Sequence, residues 1–211
     1  MDKEISIIGS GTYGQVVNEL AKELGFKVVA FYDDENDKHG SFVDNVKVIG
    51  DTSFDKVNIE GKNFVVAIGS NRIRRKISNT ILSKKGKLPT LIHPKAEISK
   101  SAKVGQGCII HAHSYIWTKV KIDDFTIISP AVNIAHHTKI GKASFVSMGA
   151  NVGASICIEK LSFVGMGSTI MTGVKFLGES CVIGAGSVVI KDTRKETTVA
   201  GNPAKELKKK M

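Results

Sequence analysis

The sequence is short of cysteine, and the cysteines it has are badly placed for cross-links. Cys108, Cys157 and Cys181 are odd in number, far apart and without a CxxC pair. That argues against a disulfide framework and against a cysteine zinc site, and fits reduced thiols. Cys108 and Cys157 fall at or beside the small-residue positions of a repeat, so packing is their expected role. No apolar run approaches the ~20 residues that cross a membrane. The start, Met1-Asp2-Lys3-Glu4 before Ile5-Ser6-Ile7-Ile8, lacks the layout of a cleavable signal. A cytoplasmic protein with no membrane partner is expected. The net charge is +10, and such a field attracts polyanions. The lysines are nevertheless scattered, except in the tail from Lys205 to Lys210, and no aromatics interleave with them. With no nucleic-acid motif either, nucleic acid is not an expected partner.

What is present in abundance is a period of six. Starting at Ile98 and stepping by six to Val188, all sixteen residues are apolar, and fifteen are Ile or Val. Two residues before each stands a small or β-branched one: Ala96, Ala102, Cys108, Ser114, Val120, Thr126 and on to Ser180 and Gly186. The register is expected to run without a break. An α-helix cannot use this period, because successive apolar residues would face different ways. Short strands joined by tight turns can, each hexad forming one flat side with one branched residue pointing inward. Repetition at fixed period signals a solenoid, whose repeats bury their apolar side only against neighbours.

Ahead of the repeat lies a different pattern. Ile5–Ile8 is expected as a buried strand, followed by Gly9-Ser10-Gly11-Thr12-Tyr13-Gly14 and a helix carrying Val16, Val17, Leu20, Ala21 and Leu24. Residues 27–32 form a second strand closed by Asp33-Asp34. Strand, GxGxxG, helix, strand and acid in this order suit a nucleotide-type ligand. The glycines let backbone approach a phosphate at the free N–H groups of a helix N-terminus. A short strand at 46–49, a buried one at 64–68, a helix from about Arg72 to Lys84 and Leu91–Ile92 complete this region. That is about half of a dinucleotide-binding domain, which places NAD second among candidate ligands. Gly69 marks a second loop at the carboxyl edge of the sheet. Arg72, Arg74 and Arg75 follow it, with phosphate contact and a solvated helix face both open.

The hexad pattern resembles the hexapeptide-repeat acyltransferases. The resemblance implies an all-β left-handed parallel β-helix, three hexads per triangular coil, and a homotrimer. A Rossmann-like α/β domain (1–93) before the β-helix with its C-terminal tail (94–211) further resembles the bacterial sugar acetyltransferases of the PglD type and the related sialic acid O-acetyltransferases. The resemblance implies N-acetylation, with acetyl-CoA as cosubstrate, of the 4-amino group of a UDP- or dTDP-linked 4-amino-4,6-dideoxy sugar, in polysaccharide biosynthesis. Both ligands are polyanions, which suits the charge. On that resemblance the front domain binds the nucleotide-sugar through Gly11, Thr12 and Tyr13, with Asp33 and Asp34 at the base or ribose and Gly69 lining the same crevice.

In Ile134-Ala135-His136-His137-Thr138-Lys139-Ile140-Gly141, His136 matches the family's catalytic histidine. His137 stands where the family has Glu or Asp. Histidine is naturally poised for proton transfer near neutral pH. His136 is therefore the expected base, oriented either by Asp123 or Asp124 or by a neutral His137. The same resemblance puts an oxyanion-stabilising N–H at Ala154, acetyl-CoA contacts at Phe145, Met166 and Gly184, and Lys205 near the 3′-phosphate, after the closing phrase Val199-Ala200-Gly201-Asn202-Pro203-Ala204. Phe145 replaces a histidine common in the family. His111 and His113 precede His136 by 25 and 23 residues, which spreads them over different sides, so no metal is expected. Two rivals remain: O-acetylation of a sugar hydroxyl such as that of sialic acid, and a β-helix that binds without catalysing.

Overall fold

The computed structural model describes residues 3–55 and 57–207. The chain divides into two compact units, Met1–His93 and Pro94–Met211.

The first unit carries β1 (Lys3–Ile8), α1 (Thr12–Glu23), β2 (Phe26–Tyr32), β3 (Phe42–Val43), β4 (Val46–Gly50), β5 (Phe64–Val66) and α2 (Asn71–Ser83). The sheet order is β3-β4-β2-β1-β5. β1, β2, β4 and β5 are parallel, and β3 pairs antiparallel to β4 as a small hairpin the sequence pattern did not reveal. Ile5, Ile7 and Ile8 are buried on β1, and α1 covers the sheet with Val17, Leu20 and Ala21, a spacing of three and four residues. Val16 faces outward. From β1 the chain steps through β2 to β4, then returns to the other side of β1 as β5. The switch point of the sheet therefore lies between β1 and β5, where parallel folds open a ligand crevice at the carboxyl ends of the strands.

The second unit is a parallel β-solenoid, so the α/β-then-β-helix fold class holds. From Glu97 to Ile170 its strands are two residues long and pair across eighteen residues, for example Tyr115 with Asn133 and Asn133 with Asn151. One face has six strands, from Glu97–Ile98 to Val188–Val189. A second has five, from Lys103–Val104 to Phe176–Leu177. The third runs through Ile109–Ile110, Ile127–Ile128, Phe145–Val146 and Phe163–Val164 to the hairpin Thr198–Gly201 and Ala204–Glu206. Ile116, Ile128, Ile134, Ile140 and Val146 are fully buried. Burying each such side chain is worth about 1.5–3 kcal/mol. The small buried residues between them satisfy the corners: Ser114 Oγ donates to the Ser129 carbonyl at 3.0 Å and Thr138 Oγ1 to that of Gly153 at 2.8 Å.

The corners repeat too. Residues 107, 113, 119, 125, 131, 137, 143, 149, 155, 161 and 167 all have φ near +60°. The next two are Gly173 and Ser180, seven residues apart. Here the expected unbroken register fails. Cys157 pairs with Phe176 and Ile158 with Leu177, a step of nineteen. One extra residue, between Met171 and Phe176, shifts the frame. The inward residues are then Leu177, Ile183 and Val189, while Phe176 and Val182 are exposed. Cys181 and Ser187 fill the small positions in place of Ser180 and Gly186. Cys108 and Cys181 are buried, but Cys157 is exposed on the second face, so its expected packing role fails. Lys103, Lys121 and Lys139, scattered in sequence, stack in register on that face.

Candidate active site

In the α/β unit the glycine loop is braced from within. A Cβ at Gly14 would collide with the carbonyl oxygen of Gly9, so the first turn of α1 can pack here only with glycine. Gly9 itself has φ +98°, the left-handed region that glycine tolerates. Asp33 Oδ2 accepts from the Ser10 N–H at 2.8 Å and from Ser10 Oγ at 2.6 Å. Asp33 Oδ1 accepts from the Glu35 N–H at 3.1 Å, and Lys38 Nζ lies 3.5 Å from Oδ2. Asp34 Oδ1 accepts from the N–H and hydroxyl of Thr52. The two acids expected at a base or ribose thus tie the turn after β2 to other segments, Asp33 to the glycine loop and Asp34 to Thr52 beyond β4. Burial works to raise the pKa of Asp33, but the bonds from Ser10 and Glu35, with Lys38, outweigh it and leave it lowered. A lowered carboxyl pKa stabilises the fold above the unfolded value of about 3.9 and loses that contribution as pH falls through the folded value. Asp33→Asn is expected to lower the unfolding midpoint at neutral pH, with the difference from the parent vanishing in acid. Thermal melts across that range check it.

Gly11, Thr12 and Gly69 are exposed at the two loops that flank the switch point, and neither glycine has an atom close to where a Cβ would stand. Tyr13 is half-buried. Burial pushes its hydroxyl pKa up, and the Arg74 charge offsets this only in part, so the phenol stays a donor. Of the three arginines, Arg74 is buried: its guanidinium donates to the carbonyls of Ile68 at 2.8 Å and Gly69 at 3.2 Å and to Asn71 Oδ1 at 2.8 Å. It shapes the second loop, a role the sequence reading left open between phosphate and solvent. His39 contacts the Asp33 carbonyl through Nε2 at 2.7 Å. His93 pairs with Glu23 at 3.1 Å.

In the solenoid the corner after Ile134 carries the histidine pair. His137 takes the left-handed corner position, φ +62°, and both side chains are exposed. Their backbones are pinned: the His137 N–H donates to the Thr118 carbonyl, and the His136 carbonyl accepts from Ser155. His136 Nδ1 and His137 Nδ1 are 3.0 Å apart with the rings nearly perpendicular. One of the two must donate and the other accept. Asp123 and Asp124, the carboxylates considered as orienters, belong to a different corner, the one after Ile122 on the second face. Asp124 accepts there from Gln106 and faces Lys142 at 3.4 Å. Neither aspartate is brought to His136; His137 is.

Ala154 occupies the same corner one coil on, and its N–H donates to Thr172 Oγ1 at 3.3 Å, a long bond that a better acceptor could displace. Phe145 packs against Phe163 on the third face, ring centroids 5.4 Å apart. Met166 is exposed at the corner that follows that face. Gly184 lets the closing hairpin approach: a Cβ there would lie 2.8 Å from Ala200 Cβ. Lys205 is exposed on the hairpin; the lysines of 208–210 lie outside the described residues. The Met166 corner and the His136 corner bound the first face from opposite edges, so one chain does not bring all these positions together. His111 is buried and His113 sits at an exposed corner with φ +60°. Among the described residues no three His, Cys, Asp or Glu side chains converge as a metal site requires. Nor is any helix among them long and apolar enough to cross a membrane.

One feature escaped the sequence reading. The outward residues of the first face run Trp117, Ala135, Gly153 and Met171, each a coil above the last. Two small residues between two large ones leave a notch of about 410 Å³. His136 and Ala154 are the next residues after its floor. The eighteen-residue spacing of these four was the signal available.

An α/β unit ahead of a β-solenoid with an exposed corner histidine is the layout of a hexapeptide-repeat acyltransferase. Comparison with known proteins narrows it. Residues 4–81 match the family described as PglD N-terminal domain. The acetyltransferase domain of PglB from Neisseria gonorrhoeae FA1090 is 34% identical, with 97% of this chain and 100% of that one covered and a TM-score of 0.90; it is also solved with acetyl coenzyme A. PerB from Caulobacter crescentus, solved with CoA and GDP-perosamine, is 28% identical over 97% of both chains, TM-score 0.89. A curated relative, UDP-N-acetylbacillosamine N-acetyltransferase of Bacillus subtilis (strain 168), is 31% identical over 116 residues. That match spans about half of each protein, 52% of either chain. The chain belongs to the PglD-type acetyltransferases, as its repeat and its glycine loop led us to expect.

Proposed function

We propose that the protein transfers the acetyl group of acetyl-CoA to the amine of a nucleotide-linked 4-amino-4,6-dideoxy sugar. The observation that carries this is the end-to-end match to a chain solved with CoA and a nucleotide-linked amino sugar. The switch-point crevice, edged by Gly11, Thr12 and Gly69, receives the nucleotide. The deprotonated amine attacks the thioester carbonyl, and His136 takes the proton the nitrogen sheds. The tetrahedral oxyanion is met by the Ala154 N–H; its collapse expels CoA as the thiolate, and the proton taken up by His136 ends on that sulfur. Phe145, Met166, Gly184 and Lys205 hold the cosubstrate. Because the two sets of residues edge opposite sides of one face, the complete site forms between copies of the chain, in a homotrimer. The reaction is placed in the cytoplasm, in polysaccharide biosynthesis.

The histidine pair explains how the base is poised without a carboxylate. If His136 donates its Nδ1–H to His137 Nδ1, its Nε2 carries a free lone pair and serves as base. After taking a proton, His136 still donates to a neutral His137, so the contact survives the step. The opposite arrangement would put the proton on Nε2 and block catalysis. His137 is thus a positioning residue. A neutral hydrogen bond is worth about 1 kcal/mol, or roughly fivefold in rate. His137→Ala is expected to lower kcat by about that factor with KM for both substrates unchanged, and His137→Gln to recover part of it.

Thiol release from acetyl-CoA, measured over a panel of nucleotide amino sugars and hydroxyl sugars, tests the function. Release is expected only with an amine acceptor. Release with hydroxyl sugars alone, or with none, would remove the proposal.

A further inference from the structure

Inside the proposed reaction, we propose that the notch on the first solenoid face is the seat of the acceptor's pyranose ring, with Trp117 as its stacking platform. Three observations carry it. The first is position. The floor residues Ala135 and Gly153 immediately precede the residues proposed as base and oxyanion donor. Anything seated in the notch therefore presents its edge to both. Trp117 reaches toward the same corner: its ring centroid is 6.1 Å from that of His136, tilted by 35°.

The second is the construction of the wall. Trp117 is 43% exposed, an expensive place for an indole unless a ligand covers it. It is not loose, because Tyr115 packs edge-on against it at 5.6 Å. Gly153 is kept small by its surroundings: a Cβ there would stand 2.6 Å from the Thr172 nitrogen. The notch is thus built into the backbone rather than left by chance.

The third is the mixture of chemistries. Beside the aromatic wall, Asn133 Nδ2 donates to Asn151 Oδ1 at 3.0 Å, and Asn151 Nδ2 donates to the Gly149 carbonyl at 3.2 Å. The two amides are fixed in orientation, Thr169 continues their column one coil on, and Thr172 also lines the notch. An acyl methyl or a pantetheine arm needs no such amides. A pyranose ring does: its C–H face is apolar enough to lie on an indole, and its rim carries hydroxyls for amides and hydroxyls to read.

Trp117 is the only tryptophan in the chain, so the site reports on itself. Titrating a UDP-linked 4-amino-4,6-dideoxy sugar, alongside its GDP- and dTDP-linked counterparts, is expected to change the intrinsic fluorescence, whereas CoA alone leaves it unchanged. In kinetics, Trp117→Ala is expected to raise KM for the amino sugar about tenfold, the scale of one aromatic contact. KM for acetyl-CoA stays as in the parent, Trp117→Phe recovers most of the loss, and the oligomer seen by sedimentation is unchanged. A rise in KM for acetyl-CoA instead would assign the notch to the thioester arm and overturn the inference. So would unchanged constants, or dissociation of the assembly in the Ala variant. Failure of the parent to acetylate any amino sugar would defeat the proposed function separately, and the fluorescence titration would still decide whether the notch binds sugar.

Discussion

His136→Asn is expected to abolish turnover, lowering kcat/KM by about 10²–10⁴, the range for removal of a positioned general base. The reason is local. Asparagine can keep a polar contact with His137 through its short amide, but nothing in it can replace the basic Nε2. Since His136 is exposed and its backbone bonds are untouched by the change, the melting transition should barely move; surface substitutions of this kind fall within about 0.5 kcal/mol. Thiol release by the purified variant, beside its melting curve, checks both halves. Full activity would strip His136 of its role. Joint loss of activity and fold would show that the corner is structural.

The second large effect concerns the frame of the solenoid. Leu177 is fully buried and Phe176 is 43% exposed. Leu177→Ala is expected to cost about 2–5 kcal/mol, the transfer loss plus the cavity left in a coil that cannot collapse. Phe176→Ala should cost under about 1 kcal/mol, because its ring already meets water. An uninterrupted six-residue frame predicts the reverse order, with residue 176 inside. Denaturant melts of the two variants decide it.

The period of six made most of the fold legible, because one face of each hexad must be apolar for the coils to stack. It failed at Gly173 for a physical reason. Phe176-Leu177, Val182-Ile183 and Val188-Val189 are all apolar pairs, so a slip of one residue leaves the apolar count intact. Only the corner dihedrals and strand partners expose it. The glycine loop was equally legible in Gly9, Gly11 and Gly14, and close backbone approach dictates the first and the last of these. The partners of the acids were not. Asp33 is held by Ser10, 23 residues away, a pairing that composition cannot show. Arg74 was hidden by a general tendency: a charged helix residue ordinarily faces water, and this one is buried because loop carbonyls accept its protons. In the site, His136 stood out by its motif, and its contact with His137 follows from the corner geometry they share. Trp117 did not stand out, since the residues that make a notch of it lie 18, 36 and 54 positions further on.

The most direct measurement is a crystal structure with CoA and a nucleotide-linked 4-amino-4,6-dideoxy sugar bound. The expected result places His136 Nε2 within hydrogen-bond reach of the sugar amine, about 2.6–3.2 Å, with the CoA thiol sulfur on the amine's far side. An amine bound out of reach of that nitrogen, with His136 turned to open solvent, would contradict it.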